Sequence, residues 1–143
     1  MDNKAKTAFY GDELWNKLFG DFWTRFVDWP CLDLLDLDTV DNGVFENAMK
    51  EIDNGSDFDF LLLHFIGVDS SGHSYSSYHP ELTRKLLDTE RDIAKLIEKM
   101  DDDTTLVVFG DHGMTVSGSH GADSENEMRT TLFAYQKTPM AFG

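Results

Sequence analysis

Cysteine is nearly absent: Cys31 stands alone among 143 residues, so no disulfide closes within the chain and no cysteine-based zinc cluster forms from it. Basic residues are scarce too. Lys and Arg number 12 against 27 Asp and Glu, a formal net charge of -15, and a surface of that sign repels nucleic-acid backbones and anionic lipid headgroups alike. Nucleic-acid binding is set aside on that ground. A phosphate-bearing substrate would need its charge met by bound metal ions rather than by a basic patch. Long apolar runs are also missing: the longest, Phe60 to Val68, is interrupted by His64 and is too short to cross a bilayer. The opening Met1-Asp2-Asn3-Lys4 lacks the apolar region of a leader peptide. There is no internal repeat and no low-complexity segment. What the chain does have is 41% hydrophobic content, enough for one core in a single domain.

Aromatic residues are concentrated early. Phe9, Tyr10, Trp15, Phe19, Phe22, Trp23, Phe26 and Trp29 include later members at three- and four-residue spacing, which predicts a helix or broken helix over 8–29 with a buried aromatic stripe, ended by Pro30. From Cys31 to Asn42 apolar and acidic residues mix. That stretch lacks the Gly and distal Glu of a calcium loop and reads as solvated acidic surface. Asp41-Asn42-Gly43 supplies turn chemistry ahead of a helix from Val44 to Asp53.

The segment from Phe60 onward is more specific. Phe60 to Ile66 is a short, nearly continuous apolar run, as expected of a strand buried on both faces of a parallel sheet, and it ends at Gly67-Val68-Asp69. Pro80 opens a helix with Leu82, Leu86, Ile93, Ile97 and Met100 on one stripe and Arg84, Lys85, Glu90, Arg91 and Glu98 opposite. A second apolar run, Thr105 to Phe109, ends at Gly110-Asp111-His112, and Thr131 to Tyr135 reads as a further strand. A strand, helix, strand unit of this kind predicts parallel strands joined by a right-handed crossover, and so an α/β fold with a mostly parallel sheet and helices on both faces.

Both runs finish in glycine followed closely by an acid and a histidine, and the C-terminal edge of a parallel sheet is where such folds bind ligands. Asp69 and His73 are four residues apart, which brings their side chains to one side of a helical turn. With His120 they make three metal ligands, the His-and-carboxylate pattern of a catalytic zinc with one open position. Asp111 and His112, adjacent past a strand end, would serve a second metal that still lacks a protein ligand. Taken singly, each Asp suits a cap and each His a satisfied structural residue; their shared placement at one edge favours ligation. His64 lies mid-strand and His79 precedes Pro80, so both read as structural. Asp123 and Ser124 are candidates for substrate contact, but Ser124 with Glu127 also fits a capping box.

These same residues carry a family resemblance. Gly67-Val68-Asp69-Ser70-Ser71-Gly72-His73, Gly110-Asp111-His112-Gly113-Met114-Thr115 and Gly118-Ser119-His120-Gly121 resemble the alkaline phosphatase superfamily and, within it, the GPI ethanolamine phosphate transferases. Gly11-Asp12-Glu13-Leu14-Trp15, Leu37-Asp38-Thr39-Val40-Asp41-Asn42-Gly43 and Asp123-Ser124-Glu125 agree further, and the pattern is most similar to the third-mannose type, then to the second-mannose type. The resemblance implies two Zn2+ ions, one held by Asp69, His73 and His120 and the other by Asp111 and His112. It implies transfer of phosphoethanolamine from phosphatidylethanolamine to a mannose of the GPI-precursor glycolipid. The setting it implies is the lumen of the endoplasmic reticulum, on a domain attached to the membrane by segments absent here, with a small membrane subunit as a further partner.

The family's nucleophilic Thr and the remaining Asp ligand of the second zinc have no match in this sequence, and Ser70, Ser71 and Thr115 are not given that role by the family pattern. Residues 1–143 are therefore expected to be the C-terminal part of an alkaline-phosphatase-like catalytic domain, incomplete at its N-terminal side. Two other readings compete: a phosphodiesterase or phosphatase of the same superfamily, and a non-catalytic metal-binding fragment.

Overall fold

The computed structural model describes residues 4–138. Its centre is a three-stranded, all-parallel sheet in the order β2-β1-β3, formed by β1 (Thr7–Asp12), β2 (Arg25–Trp29) and β3 (Phe60–Leu63). Ala8 aligns with Arg25 on one side and with Leu61 on the other. All six residues of β1 are buried. That explains why no strand was expected there: a central strand covered on both faces loses the in–out alternation by which strands are read.

The helix expected over 8–29 is accordingly confined to α1 (Glu13–Phe19), which a 3-10 turn at Gly20–Phe22 follows; strands lie on either side. Asp12 caps α1 by accepting from the Leu14 N–H at 2.8 Å. The aromatic stripe is core only in part. Phe9 and Tyr10 are 0% and 6% exposed, whereas Phe19, Phe22 and Phe26 are about half exposed. Phe9 stacks on Trp23 with centroids 5.1 Å apart, and Trp15 of α1 adjoins His64 on that same side of the sheet.

Helix α2 (Thr39–Asp53) covers the opposite face. Ala8 and Tyr10 pack with Val40 and Val44, flanked by Trp29, Leu61, Leu63, Phe65 and Ile66. The helix begins earlier than expected, so Asp41-Asn42-Gly43 lies within its first turns rather than in a turn before it. Gly43 is tolerated there because Trp29 covers it: a Cβ would sit 2.3 Å from Trp29 Cζ2. Of the acidic residues ahead of α2, Asp33 and Asp36 are exposed, and Asp36 accepts from the backbone of Asp38 and Thr39.

β3 runs through a three-residue connection into α3 (Gly67–Tyr75), and Pro80 stands at the first position of α4 (Pro80–Lys99). Then come β4 (Leu106–Phe109), α5 (Glu125–Met128) and β5 (Leu132–Tyr135). The strands at 60 and 106 were expected to run parallel in one sheet. Instead β4 pairs antiparallel with β5 in a separate two-stranded sheet, because an apolar run specifies a strand but not the edge to which it bonds. The whole remains α/β, a parallel sheet flanked by helices as in alkaline-phosphatase-like folds. Among the described residues, β3 and β4 each have one edge with no strand partner.

Candidate functional site

Asp69 lies in the first turn of α3 and His73 one turn later, with His73 Nε2 3.5 Å from Asp69 Oδ2. Asp111 and His112 follow β4, and His120 lies further along the same loop, ahead of α5. Two glycines let that loop close onto α3. A Cβ on Gly72 would lie 2.2 Å from Met114 Sδ, and Gly118, at φ +83°, would place one 2.0 Å from the Gly72 carbonyl oxygen. A backbone bond from the Ser77 N–H, just past α3, to Val116 O at 3.2 Å fastens the contact, and one from the Gly113 N–H to Glu127 O at 2.7 Å holds the loop to α5.

The result is convergence at one carboxylate. His120 Nε2 is 3.3 Å and His112 Nε2 4.0 Å from Asp69 Oδ1. The His112 and His120 rings stack at 3.7 Å, and His73 lies 4.8 Å from His120, centroid to centroid. One donor atom from each of Asp69, His112 and His120 lies within 4.8 Å of the others. This grouping draws on both halves of the division expected from sequence. Asp111 sits at the margin, 59% exposed at its side chain, with Oδ2 3.6 Å from His112 Nε2.

The chemistry of these donors suits a cation. Asp69 Oδ1 is buried and has no hydrogen-bond partner, an arrangement that costs desolvation free energy unless a positive group compensates. His112 Nδ1 lies 2.9 Å from the Gly113 carbonyl oxygen. A carbonyl only accepts, so an Nδ1–H would satisfy it and leave Nε2 as the metal-binding nitrogen, the outer-shell arrangement typical of metal-bound histidine.

The other two histidines have contacts of their own, and His64, expected mid-strand, lies outside the strand. His79 caps α4 by accepting from the Glu81 N–H at 3.2 Å, and its ring stacks on Tyr75. His64 follows β3, with Nδ1 2.6 Å from Asp12 Oδ2. Glu127 does bind back towards the start of α5, but it receives the Ser124 hydroxyl and the Ala122 N–H in place of a reciprocal capping box. Those bonds, the hydroxyl first, hold its carboxyl below the usual range. Asp123 and Ser124 are exposed.

Two charged residues behind the site were misassigned from sequence. Lys85, expected on the polar face of α4, is 2% exposed, and Asp41, expected in a turn, is 4% exposed. Position 85 is three residues from Leu82, which is the helical step that shares its face; that spacing was the available signal.

Asp69, His112 and His120 thus form one acid and histidine cluster in an α/β fold. The model of the type I phosphodiesterase / nucleotide pyrophosphatase family matches residues 5–129, and the chain belongs to that family. Within it, the chain is similar to human GPI ethanolamine phosphate transferase 3, catalytic subunit: 43% identical over 133 residues, covering 93% of this chain and 12% of that protein. It is 38% identical over 140 residues to GPI ethanolamine phosphate transferase 3 of Saccharomyces cerevisiae, covering 97% and 14%. Human GPI ethanolamine phosphate transferase 2, catalytic subunit, is 33% identical over 145 residues, covering 94% and 15%. The chain thus spans between 12% and 15% of the length of these relatives.

Proposed function

We propose that this chain is part of a luminal, zinc-dependent catalytic domain that transfers phosphoethanolamine from phosphatidylethanolamine to a mannose of the GPI precursor at the endoplasmic reticulum membrane. The convergence of Asp69, His112 and His120 carries the reading. The printed names of the relatives point it to GPI chemistry. Asp69, His112 and His120 hold metal, with His73 beside the second oxygen of Asp69 and Asp111 beside His112. Zinc bound there would neutralise charge on the transferring phosphoryl group and lower the pKa of the attacking hydroxyl.

The nucleophilic Thr belongs to a segment beyond the described residues. Ser70 and Ser71 are 1% and 0% exposed, and Thr115 Oγ1 accepts from the Ser119 N–H at 3.0 Å, so the hydroxyls near the ligands are sequestered or engaged. Unpartnered edges on β3 and β4 suit a sheet completed by further strands. No helix among the described residues is long and apolar enough to cross a membrane; the proposal assigns membrane attachment to segments absent here and takes a small membrane subunit as a further partner.

A chimera tests the assignment. This chain replaces the matched segment of the S. cerevisiae relative, and GPI precursors are weighed by mass spectrometry. Precursor glycan bearing an added phosphoethanolamine, lost in a His112→Ala chimera, is the expected result. The family description favours one competing reading, transfer to water by a phosphodiesterase. Free phosphoethanolamine with unmodified glycan would establish that reading and refute the transferase.

A further inference from the structure

We propose that Asp41 and Lys85 form a buried positioning pair that sets the start of α3, and with it Asp69, for metal binding. The proposal rests on the reading of Asp69 as a metal ligand. Helix α3 has no side-chain cap of its own: Ile66 stands at the N-cap and supplies no hydrogen bond. The backbone donors there are taken up from another element. Asp41 Oδ1, on α2, accepts from the Ile66 N–H at 2.9 Å and the Gly67 N–H at 3.0 Å. Its other oxygen, Oδ2, lies 2.7 Å from Lys85 Nζ on α4. Lys85 also reaches Asp38 Oδ1 at 3.2 Å. One carboxylate therefore ties three helices at a point two residues ahead of Asp69.

Gly67 is the condition for this arrangement. A Cβ there would lie 2.2 Å from Lys85 Cε, 2.4 Å from Asp41 Oδ2 and 2.5 Å from Leu37 O. Stability alone is a weak reason for the pair, since neutral apolar side chains of similar volume would avoid the desolvation of two buried charges. Geometry is the stronger one. Aspartate offers two equivalent oxygens, one for the backbone pair and one for the ammonium, and fixes the direction in which α3 leaves the sheet. A carboxamide cannot do both: its single oxygen serves either the N–H groups or Lys85, and the amide N–H2 meets whichever remains.

The experiment measures Zn2+ affinity of the chain by competition with a chromophoric chelator, together with the visible spectrum of its Co2+ form. Asp41→Asn, which preserves size, is expected to weaken zinc about tenfold, as loss of an outer-shell partner does, and to change the Co2+ spectrum. Lys85→Met is expected to do the same from the other side of the pair, and decides the question if Asp41→Asn does not fold. A folded Asp41→Asn chain with wild-type zinc affinity and spectrum, differing only in thermal stability, would overturn the proposal and leave the pair a merely structural contact. Asp69→Ala separates the two levels. If it binds zinc as the wild type does, the metal reading of Asp69 itself fails; if only Asp69→Ala is affected, the metal reading stands and the positioning pair falls.

Discussion

Replacing Glu51 by Gln tests how the sheet is held to α2, the helix that also carries Asp41. Glu51, 9% exposed, receives the Tyr10 hydroxyl from β1 and binds Arg25 of β2 at both oxygens, Nε and Nη2 each at 2.6 Å. One carboxylate thus joins two strands to the far end of α2. Hydrogen bonds to charged groups contribute about 1.5–3 kcal/mol and exposed ion pairs about 0–1 kcal/mol. The Arg25 side chain is 35% exposed, so water recovers part of what is lost, and the amide still offers Tyr10 an acceptor. The expected cost of Glu51→Gln is about 2 kcal/mol, or about 6 °C in Tm at roughly 3 °C per kcal/mol for a chain of this size. Urea unfolding followed by circular dichroism measures it.

The pH dependence supplies a second reading of the same contact. The hydrogen bond from Arg25 holds the Glu51 carboxyl below its usual range. A depressed folded-state pKa stabilises above the unfolded value of about 4.3, and the contribution is lost as pH falls through the folded value. The gap between wild type and Glu51→Gln should therefore be full at neutral pH and close in acid. A neutral-pH gap below about 0.5 kcal/mol, under the range assigned to charged hydrogen bonds, or a gap that persists unchanged in acid, would refute the account.

Two further outcomes follow from the geometry. Gly118→Ala combines a left-handed φ with overlap on the Gly72 carbonyl and is expected to cost about 2–3 kcal/mol and to weaken zinc binding by displacing His120, whereas Gly55→Ala, at φ +94° with open space around it, should cost about 1 kcal/mol and leave zinc unchanged; thermal unfolding and chelator competition read both. Burial first, and Glu51 second, push the Tyr10 phenol up to about 12. A raised folded-state value stabilises fully below the unfolded pKa of about 10 and is lost as pH rises through the folded one, so tyrosinate absorbance should show a late-titrating group that vanishes in Tyr10→Phe and in concentrated urea.

Several features were legible in the sequence because their causes are local. The apolar stripe and Pro80 specify α4, and short apolar runs specify β3, β4 and β5. Other features have no local cause. β1 escaped notice because burial on both faces removed its alternation and β2 because aromatic spacing masked the strand period, while β4, expected to run parallel to β3, pairs antiparallel with β5 because pairing depends on which edges meet. Asp41 and Lys85 read as turn and surface until α2, α3 and α4 were brought together around Gly67. The sequence alone therefore singled out the residues expected to hold a metal. Only the tertiary structure decided that Asp69, His112 and His120 share one space, since their separation of up to 51 positions in the chain is closed by contacts such as Gly72 against Gly118, which no spacing rule contains.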